Sequence, residues 1–578
     1  MRFHTTVSLA GFILALCWCA SAAADDVSGA ETAAQAAAGG EPSLSADRVS
    51  GDPDGAKPWG GSEANTLNLS LQEAIGLGIQ NNLGVKVQRF DPLISEEETN
   101  VAWGSYDPVW NSEIGWDERR TPSSSSFDVG NAVNTRKVLD GQGGITGVLP
   151  LLSTQYSAIL SSDRTTTNFA FQTLSPEYTA TVTFSLKQPL LRGLIWNEPW
   201  TRVKVSNIGY QTSLEAFRRD VMDIVSGIET AYWNLIATHE QMLVAEKSLE
   251  TSRALLGQTR IQYEVGVVSK VDVVQAEAGV ADREFSLIKN TNRYRQAQDD
   301  LIDQVLGEQL RPETTLAIQP TDEAKQYIVH DVDVLESTRV AFASRPELQI
   351  ASREIERMLI QEKFAKNQRL PQFDLEGRYA YRGLSGRQND DNNPCLFNTT
   401  DPRCDPTDPA FDPSALAAPR QSYGDAYDKY FDSDGANNWT FRGVFSIPIP
   451  NTAARARARQ AGIELRRART QKRRVEQDII LEIRTAARNI EAAQEGIEAA
   501  LRAVAAAEEQ LRAEEIRLEY GESTPFDVLL REEDLVESES QRIAAYQAYR
   551  TSLTALDRRQ GTILRNRNIA IDAVLSVR

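Results

Sequence analysis

The chain states most of its pattern twice. The phrase "YEVGVVSKVDV" at residues 263–273 returns as "LEYGESTPFDV" at 518–528, so that Gly266 and Asp272 correspond to Gly521 and Asp527. Pro108 in "YDPVWNSEIGW" corresponds to Pro371 in "RLPQFDLEGRY", and Phe184 in "FSLKQP" to Phe445 in "FSIPIP". Asp223, Ile228, Ala231 and Asn234 likewise correspond to Asp478, Ile483, Ala486 and Asn489. All pairs lie roughly 255–263 residues apart, and the spacing slips only where loops are expected, which marks one structural unit used twice. An admissible fold must therefore be built from two such units, here residues 65–332 and 333–562, with 563–578 as a C-terminal tail.

Each unit runs in the same order: a helix, a strand, a long insert, a second strand, and two long helices joined at the repeated phrase. The strands are visible from period-two alternation. In "YTATVTFSLK", Tyr178, Ala180, Val182, Phe184 and Leu186 share one face, and Thr179, Thr181, Thr183, Ser185 and Lys187 the other. In "QFDLEGRYAY", Phe373, Leu375, Gly377, Tyr379 and Tyr381 oppose Gln372, Asp374, Glu376, Arg378 and Ala380. Trp439, Phe441, Phe445 and Ile447 repeat the pattern against Thr440, Arg442 and Ser446. A sandwich with one wet face would alternate in this way, but no second sheet is evident for the apolar faces to cover. A wall with lipid on its apolar side and water on its polar side explains the pattern better. Thr179, Thr181, Thr183, Asp374, Glu376 and Arg378 are then expected to face a lumen. The inserts, roughly 60 residues each, suit the external loops of such a wall. Two strand-like pieces of the first insert, "GGITGVLP" and "TQYSAILSS", leave open whether they join it.

Residues 199–263 and 453–519 contain hardly a helix breaker, and each would extend on the order of 100 Å. The returning helices, 271–306 and 526–560, are shorter. Helices of that length, rich in Ala, Glu, Arg, Gln and Leu, need helical neighbours, so coiled-coil packing is expected. No stretch after the N-terminal one supplies the roughly 20 apolar residues of a membrane helix.

Residues 1–24 combine Arg2, an apolar run and Ala22-Ala23-Ala24 before Asp25, the pattern of a secretory signal cut after Ala24. Leu16 and Trp18, preceding Cys17 and Cys19, are too large for a lipidation site. Residues 25–64 are Ala-, Gly-, Ser- and Asp-rich and are expected to form a flexible leader. The two remaining cysteines, Cys395 and Cys404, sit close together in a Pro- and Asp-rich insert, and an oxidising compartment favours a disulfide between them.

The balance of 62 Lys and Arg against 81 Asp and Glu, a net charge of −19, argues against nucleic acid as a partner. The basic run "RARARQAGIELRRARTQKRR" (455–474) directly follows a strand, and fits the periplasm near the membrane or neighbouring acidic helices. The mature chain keeps only His239 and His330, with no metal-spaced cluster, nucleophile elbow, phosphate loop or CxxC. "DSDG" at 432–435 lacks the other ligands of a calcium loop. Catalysis, cofactor and bound metal are not expected.

With "QPLLRG" closing a strand and "YEVGVVSKVDVVQAE" closing a hairpin, the tandem units resemble the TolC-type outer membrane efflux proteins over about residues 65–562. Asn82-Leu83 departs from the Asn-Pro or Arg-Pro usual in that family, which Arg345-Pro346 keeps, and Val267 replaces a frequent Leu. The resemblance implies a fold of mixed α and membrane β. Four strands per chain would close, in a homotrimer, one 12-stranded barrel in the outer membrane of a Gram-negative bacterium, continued by a coiled-coil tunnel through the periplasm. Four strands alone would leave edges that lipid cannot satisfy, so company is required on physical grounds too.

The implied function is passive conduction from an energised inner-membrane transporter of RND, ABC or MFS type, through a periplasmic adaptor (a membrane fusion protein). Small-molecule efflux is favoured over type I protein secretion; a coiled-coil tether without a pore is the reading outside the channel class. The resemblance also makes the hairpin tips, Val265, Gly266 and Val267 with Tyr520, Gly521 and Thr524, the adaptor-docking points. The periplasmic aperture is expected at Asp527 and Asp272: the resemblance places Asp527 in a ring there, while Asp272 reads chiefly as a helix cap. Leu530 stands where the family often has a second acidic residue, leaving Glu532 or Glu533 to replace it.

Overall fold

The computed structural model describes residues 65–576 except 123–132, 151, 170–171, 312–315, 324, 326, 390–406, 408–421 and 429–435. The expected signal, the leader and the Cys395–Cys404 pair lie outside the described residues. The first unit opens with β1 (Asn65–Leu69), α1 (Leu71–Asn81) and α2 (Leu83–Trp103). Four strands follow, β2 (Val109–Pro122), β3 (Val133–Val148), β4 (Gln155–Thr167) and β5 (Leu174–Pro189), then α3 (Glu198–Glu264) and α4 (Lys270–Leu306). After β6 (Leu316–Pro320), the second unit comprises α5 (Val334–Ser344), α6 (Pro346–Asn367), β7 (Gln372–Gln388), the short α7 (Tyr423–Asp428), β8 (Ala436–Ser446), α8 (Thr452–Glu519) and α9 (Pro525–Gln560). The chain closes with α10 (Ile563–Asn566) and α11 (Ile571–Ser576).

The repeat is physical as well as textual. Asn82 divides α1 from α2 and caps α2, its side chain accepting from the Val85 N–H at 3.3 Å, where the second unit uses Arg345 followed by Pro346. Asn achieves by capping what Pro achieves by fixing φ and lacking an N–H. Gly307 and Gly561, which end α4 and α9 at φ +46° and +75°, are seated on these two breaks. A Cβ at Gly307 would strike the Asn81 carbonyl, and one at Gly561 would lie 3.0 Å from that of Ser344. In both units the last helix thus ends against the break between the first two.

Strands β2-β3-β4-β5-β7-β8 form a single antiparallel sheet, in that order. This corrects the expectation of four strands per chain: among the described residues the sheet has six, because the two strand-like pieces of the first insert belong to β3 and β4. Their alternation is muted by Gly141, Gly143, Gly144 and Gly147, which remove the side chains that would mark a strand. A separate parallel pair, β1 with β6, ties the start of the first unit to its end. Beside it the Tyr232 hydroxyl donates to Asp322 Oδ2 at 2.7 Å.

The 67-residue α3 and 68-residue α8 form the core with α4 and α9. Along α8 the seam Ile483, Ala486, Ile490, Ala493, Ile497, Ala500, Val504, Ala507 advances in alternating steps of three and four, the period of a left-handed coiled coil. Among the described residues, no helix is long and apolar enough to cross a membrane.

Candidate functional site

The register carries two distinct faces across the six strands. One row reads Trp110, Ile145, Ala158, Phe184, Tyr379, Trp439. A row on the opposite face reads Glu113, Gln142, Ser161, Thr181, Arg382, Ala436, polar on every strand but the last. Trp110 and Trp439 are 65% and 77% exposed, an apolar surface that favours a non-aqueous neighbour. The polar face is concave: one cavity is bounded by Thr146, Ser157, Ser185, Lys187, Arg378 and Arg442, drawn from five strands. Thr179, Thr181, Thr183, Asp374, Glu376 and Arg378 all share that polar face. There Lys187 Nζ lies 3.0 Å from Asp374 and 3.3 Å from Glu376, and Arg442 donates to Glu376 at 2.9 Å. The wall therefore carries paired charges of both signs.

The two hairpin tips are built alike. Gly266 (φ +80°) and Gly521 (φ +75°) adopt the left-handed conformation that glycine tolerates best. The Val267 N–H donates back to Gln262 O at 2.9 Å and that of Glu522 to Arg517 O at 2.8 Å. The glycine N–H groups reach Tyr263 O at 3.0 Å and Leu518 O at 3.1 Å, the double bonding that ends a helix at glycine. Ser269 and Thr524 then cap the returning helices, and the third residue of each helix completes a capping box. Asp272 Oδ2 accepts from the Ser269 N–H at 2.8 Å and from its hydroxyl at 2.7 Å. Asp527 Oδ2 accepts from the Thr524 N–H at 3.2 Å and hydroxyl at 2.6 Å. The Thr524 hydroxyl, then its backbone, hold the Asp527 carboxyl below its usual range. Within one chain the two aspartates thus have the same local role. Val265, Gly266, Val267, Tyr520, Gly521 and Thr524 are all exposed.

Glu532 cannot stand in for the acid missing at position 530. Its side chain is turned into the seam between α9 and α3, accepting from Ser248 Oγ and Ser252 Oγ at 3.2 Å each, and the residue is 4% exposed. Burial raises its carboxyl, against the opposing pull of Arg283 and the two serines; Glu515 pushes the same way as burial. A folded carboxyl that keeps its proton to higher pH than an unfolded one makes the folded state gain stability as pH falls through the raised value toward the ordinary 4.5, and lose it as pH rises. Glu532→Gln is therefore expected to raise stability at pH 7.5 and to flatten the pH dependence of melting between pH 7.5 and 5. Thermal melts in detergent check this, and an unaltered pH profile would rule it out. Glu533 is exposed, 3.9 Å from Arg283.

Other ionic groups were not singled out from sequence. Arg345 pairs with Glu347 at 3.0 Å and Glu482 at 2.6 Å, and Arg558 bridges Glu347 and Asp223. Both guanidiniums and the Arg345 hydrogen bonds hold Glu347 down at about 2 despite its burial. Glu229 of α3, which is 0% exposed, receives Arg567 from beyond α9. For Glu229 the visible hint was a carboxylate on the apolar face of a long helix.

Over residues 125–308 and 339–562 the sequence matches the outer membrane efflux protein family. No curated protein matches the chain. Its fold is similar to that of CusC, with TM-score 0.59 and 14% identity over 90% of this chain and 99% of that one. It is similar to the CmeC outer membrane channel of Campylobacter jejuni, with TM-score 0.58 and 14% identity over 90% and 94%. It is also similar to the open state of the MtrE outer membrane channel of Neisseria gonorrhoeae, with TM-score 0.56 and 16% identity over 86% and 89%. At such identities the structures speak for the fold, whereas the family match spans most of both units. The chain belongs to the outer membrane efflux protein family, outer membrane channels in which a β-barrel continues into a long periplasmic helical tunnel.

Proposed function

We propose that this chain, as a homotrimer, is the outer membrane duct of a tripartite export system, passing cargo from an energised inner-membrane transporter through a periplasmic adaptor. The observation that carries the reading is the six-stranded sheet, apolar on one face and concave and charged on the other, leading directly into paired helices of 67 and 68 residues. A tether would need the helices but not the two-faced wall. Two features favour copies of the same chain as neighbours. The end strands β2 and β8 are almost wholly exposed, and lipid cannot satisfy open strand edges. Along α4, Val271, Val274, Ala278, Ala281, Phe285 and Ile288 form an exposed seam with heptad spacing that a second helix would cover. Small-molecule export is the first cargo class to test, and polypeptide secretion the alternative. Purified protein in liposomes is expected to cross-link as a trimer and to conduct ions; monomers without conductance would defeat the reading.

In the trimer, three copies of Asp527 converge on the axis at the periplasmic aperture, and Asp272 serves the outer hairpin as a cap. Like charges gathered in a narrow throat attract cations. Asp527→Asn is expected to reduce cation preference and block by divalent cations severalfold in single-channel recordings, with little change for Asp272→Asn. Equal effects of the two substitutions would place the aperture elsewhere.

A further inference from the structure

We propose that the membrane wall of this channel is an eighteen-stranded barrel, six strands from each of three copies, with an exit as wide as the helical tube beneath it, so that the wall does not sieve cargo by size. The inference rests on the homotrimeric duct proposed above.

Strands β3 and β4 behave as wall strands rather than as a loop. They are 16 and 13 residues long, and β2 pairs with β3 without a slip from Val109↔Thr146 to Pro122↔Val133. β3 pairs with β4 from Arg136↔Thr167 to Val148↔Gln155. Their turn is short and lies at the end of the sheet from which the long helices leave, with the Leu149 N–H donating to Thr154 O at 2.8 Å; short periplasmic turns are the rule in outer membrane barrels. Two β3 glycines are fitted to rings on the apolar face. A Cβ at Gly143 would lie 3.2 Å from the Trp110 indole, and one at Gly147 would strike the Tyr156 ring. The hairpin is packed into the wall, and it carries both the apolar and the polar rows onward.

The number of strands also permits closure. Six antiparallel strands leave β2 and β8 running in opposite directions at the two edges, so β8 of one copy can pair antiparallel with β2 of the next. Strands about 4.8 Å apart and tilted about 40° give a ring roughly 36 Å across for eighteen, but roughly 24 Å for twelve. Twelve helices, the four of α2, α3, α6 and α8 that adjoin the sheet in each copy, at roughly 9 Å separation form a ring roughly 34 Å across. Eighteen strands continue that tube at constant width; twelve would narrow it.

Cryo-electron microscopy of the full-chain trimer in lipid nanodiscs counts the strands directly. Eighteen supports the proposal. Twelve, with β3 and β4 outside the wall, overturns it and leaves the channel reading intact, whereas the absence of any trimer overturns both. A second measurement uses Gln142→Cys and Ile145→Cys in a chain also carrying Cys395→Ser and Cys404→Ser. A charged, water-soluble maleimide added to conducting proteoliposomes is expected to label position 142 at least tenfold faster than position 145, and equal rates count against a wall position for β3. Polyethylene glycols roughly 20 Å in diameter are expected to enter from the outer face and lower conductance; exclusion above roughly 12 Å, the bore left in a twelve-stranded ring after side chains, would refute the wide exit.

Discussion

Replacing Arg567 by alanine is expected to cost about 3–5 kcal/mol of stability, because it strands a buried carboxylate. Glu229, on α3, is completely buried. Its two oxygens receive Arg567 Nε at 2.7 Å and Nη2 at 3.0 Å, and Thr554 Oγ1 donates at 2.8 Å. Without the guanidinium only a hydroxyl would remain to solvate the charge. Lysine supplies a point charge without the planar fork, so Arg567→Lys should fall between wild type and alanine. Adding Glu229→Gln to Arg567→Ala removes the stranded charge and should recover much of the loss. Thermal melting of detergent-solubilised protein and trimer yield follow the series. If Arg567→Ala melts like wild type, the pair does not hold the C-terminal segment to α3.

That segment shows where the sequence was mute. Residues 563–576 are too few to display periodicity, yet Ile563 and Leu564 are buried in the main core and Arg567 reaches a partner 338 positions earlier. Long-range pairs of single residues leave no local pattern. The long helices and the strands β5, β7 and β8 were legible because burial on one face repeats with a fixed period over many residues. Strands β3 and β4 were obscured by the same glycines that make room for Trp110 and Tyr156, so the packing that fits them into the wall erases the alternation that would have announced them. At the tips, Gly266 with Asp272 and Gly521 with Asp527 were legible through repetition, and the structure adds what they do locally: a left-handed stop and a capping box. The burial of Glu532 was not legible, since its place at the seam depends on how α9 is rotated against α3.

Substituting valine for Gly266 or Gly521 is expected to lower export at least tenfold while trimers still reach the outer membrane. Both glycines hold φ near +80°, which costs a residue with a β-carbon about 1–2 kcal/mol and suits a β-branched one least. An added Cβ at either position meets nothing within 4 Å. The chain's own packing is therefore undisturbed, in contrast to Gly307 and Gly561, where a side chain would enter the break between two helices. What the new side chain does meet is the space beside exposed Val265, Val267 and Tyr520, the surface proposed to receive the adaptor. Asparagine separates the two effects, because it tolerates the left-handed conformation and preserves the turn while still filling that space. If docking is the role, Gly266→Asn and Gly521→Asn should impair export nearly as much as valine does, with melting temperature close to wild type. Export is followed as the efflux rate of a fluorescent compound, normalised to trimer in outer membrane fractions. Wild-type rates with both asparagine variants would leave the glycines as turn residues alone and move the adaptor contact away from the tips.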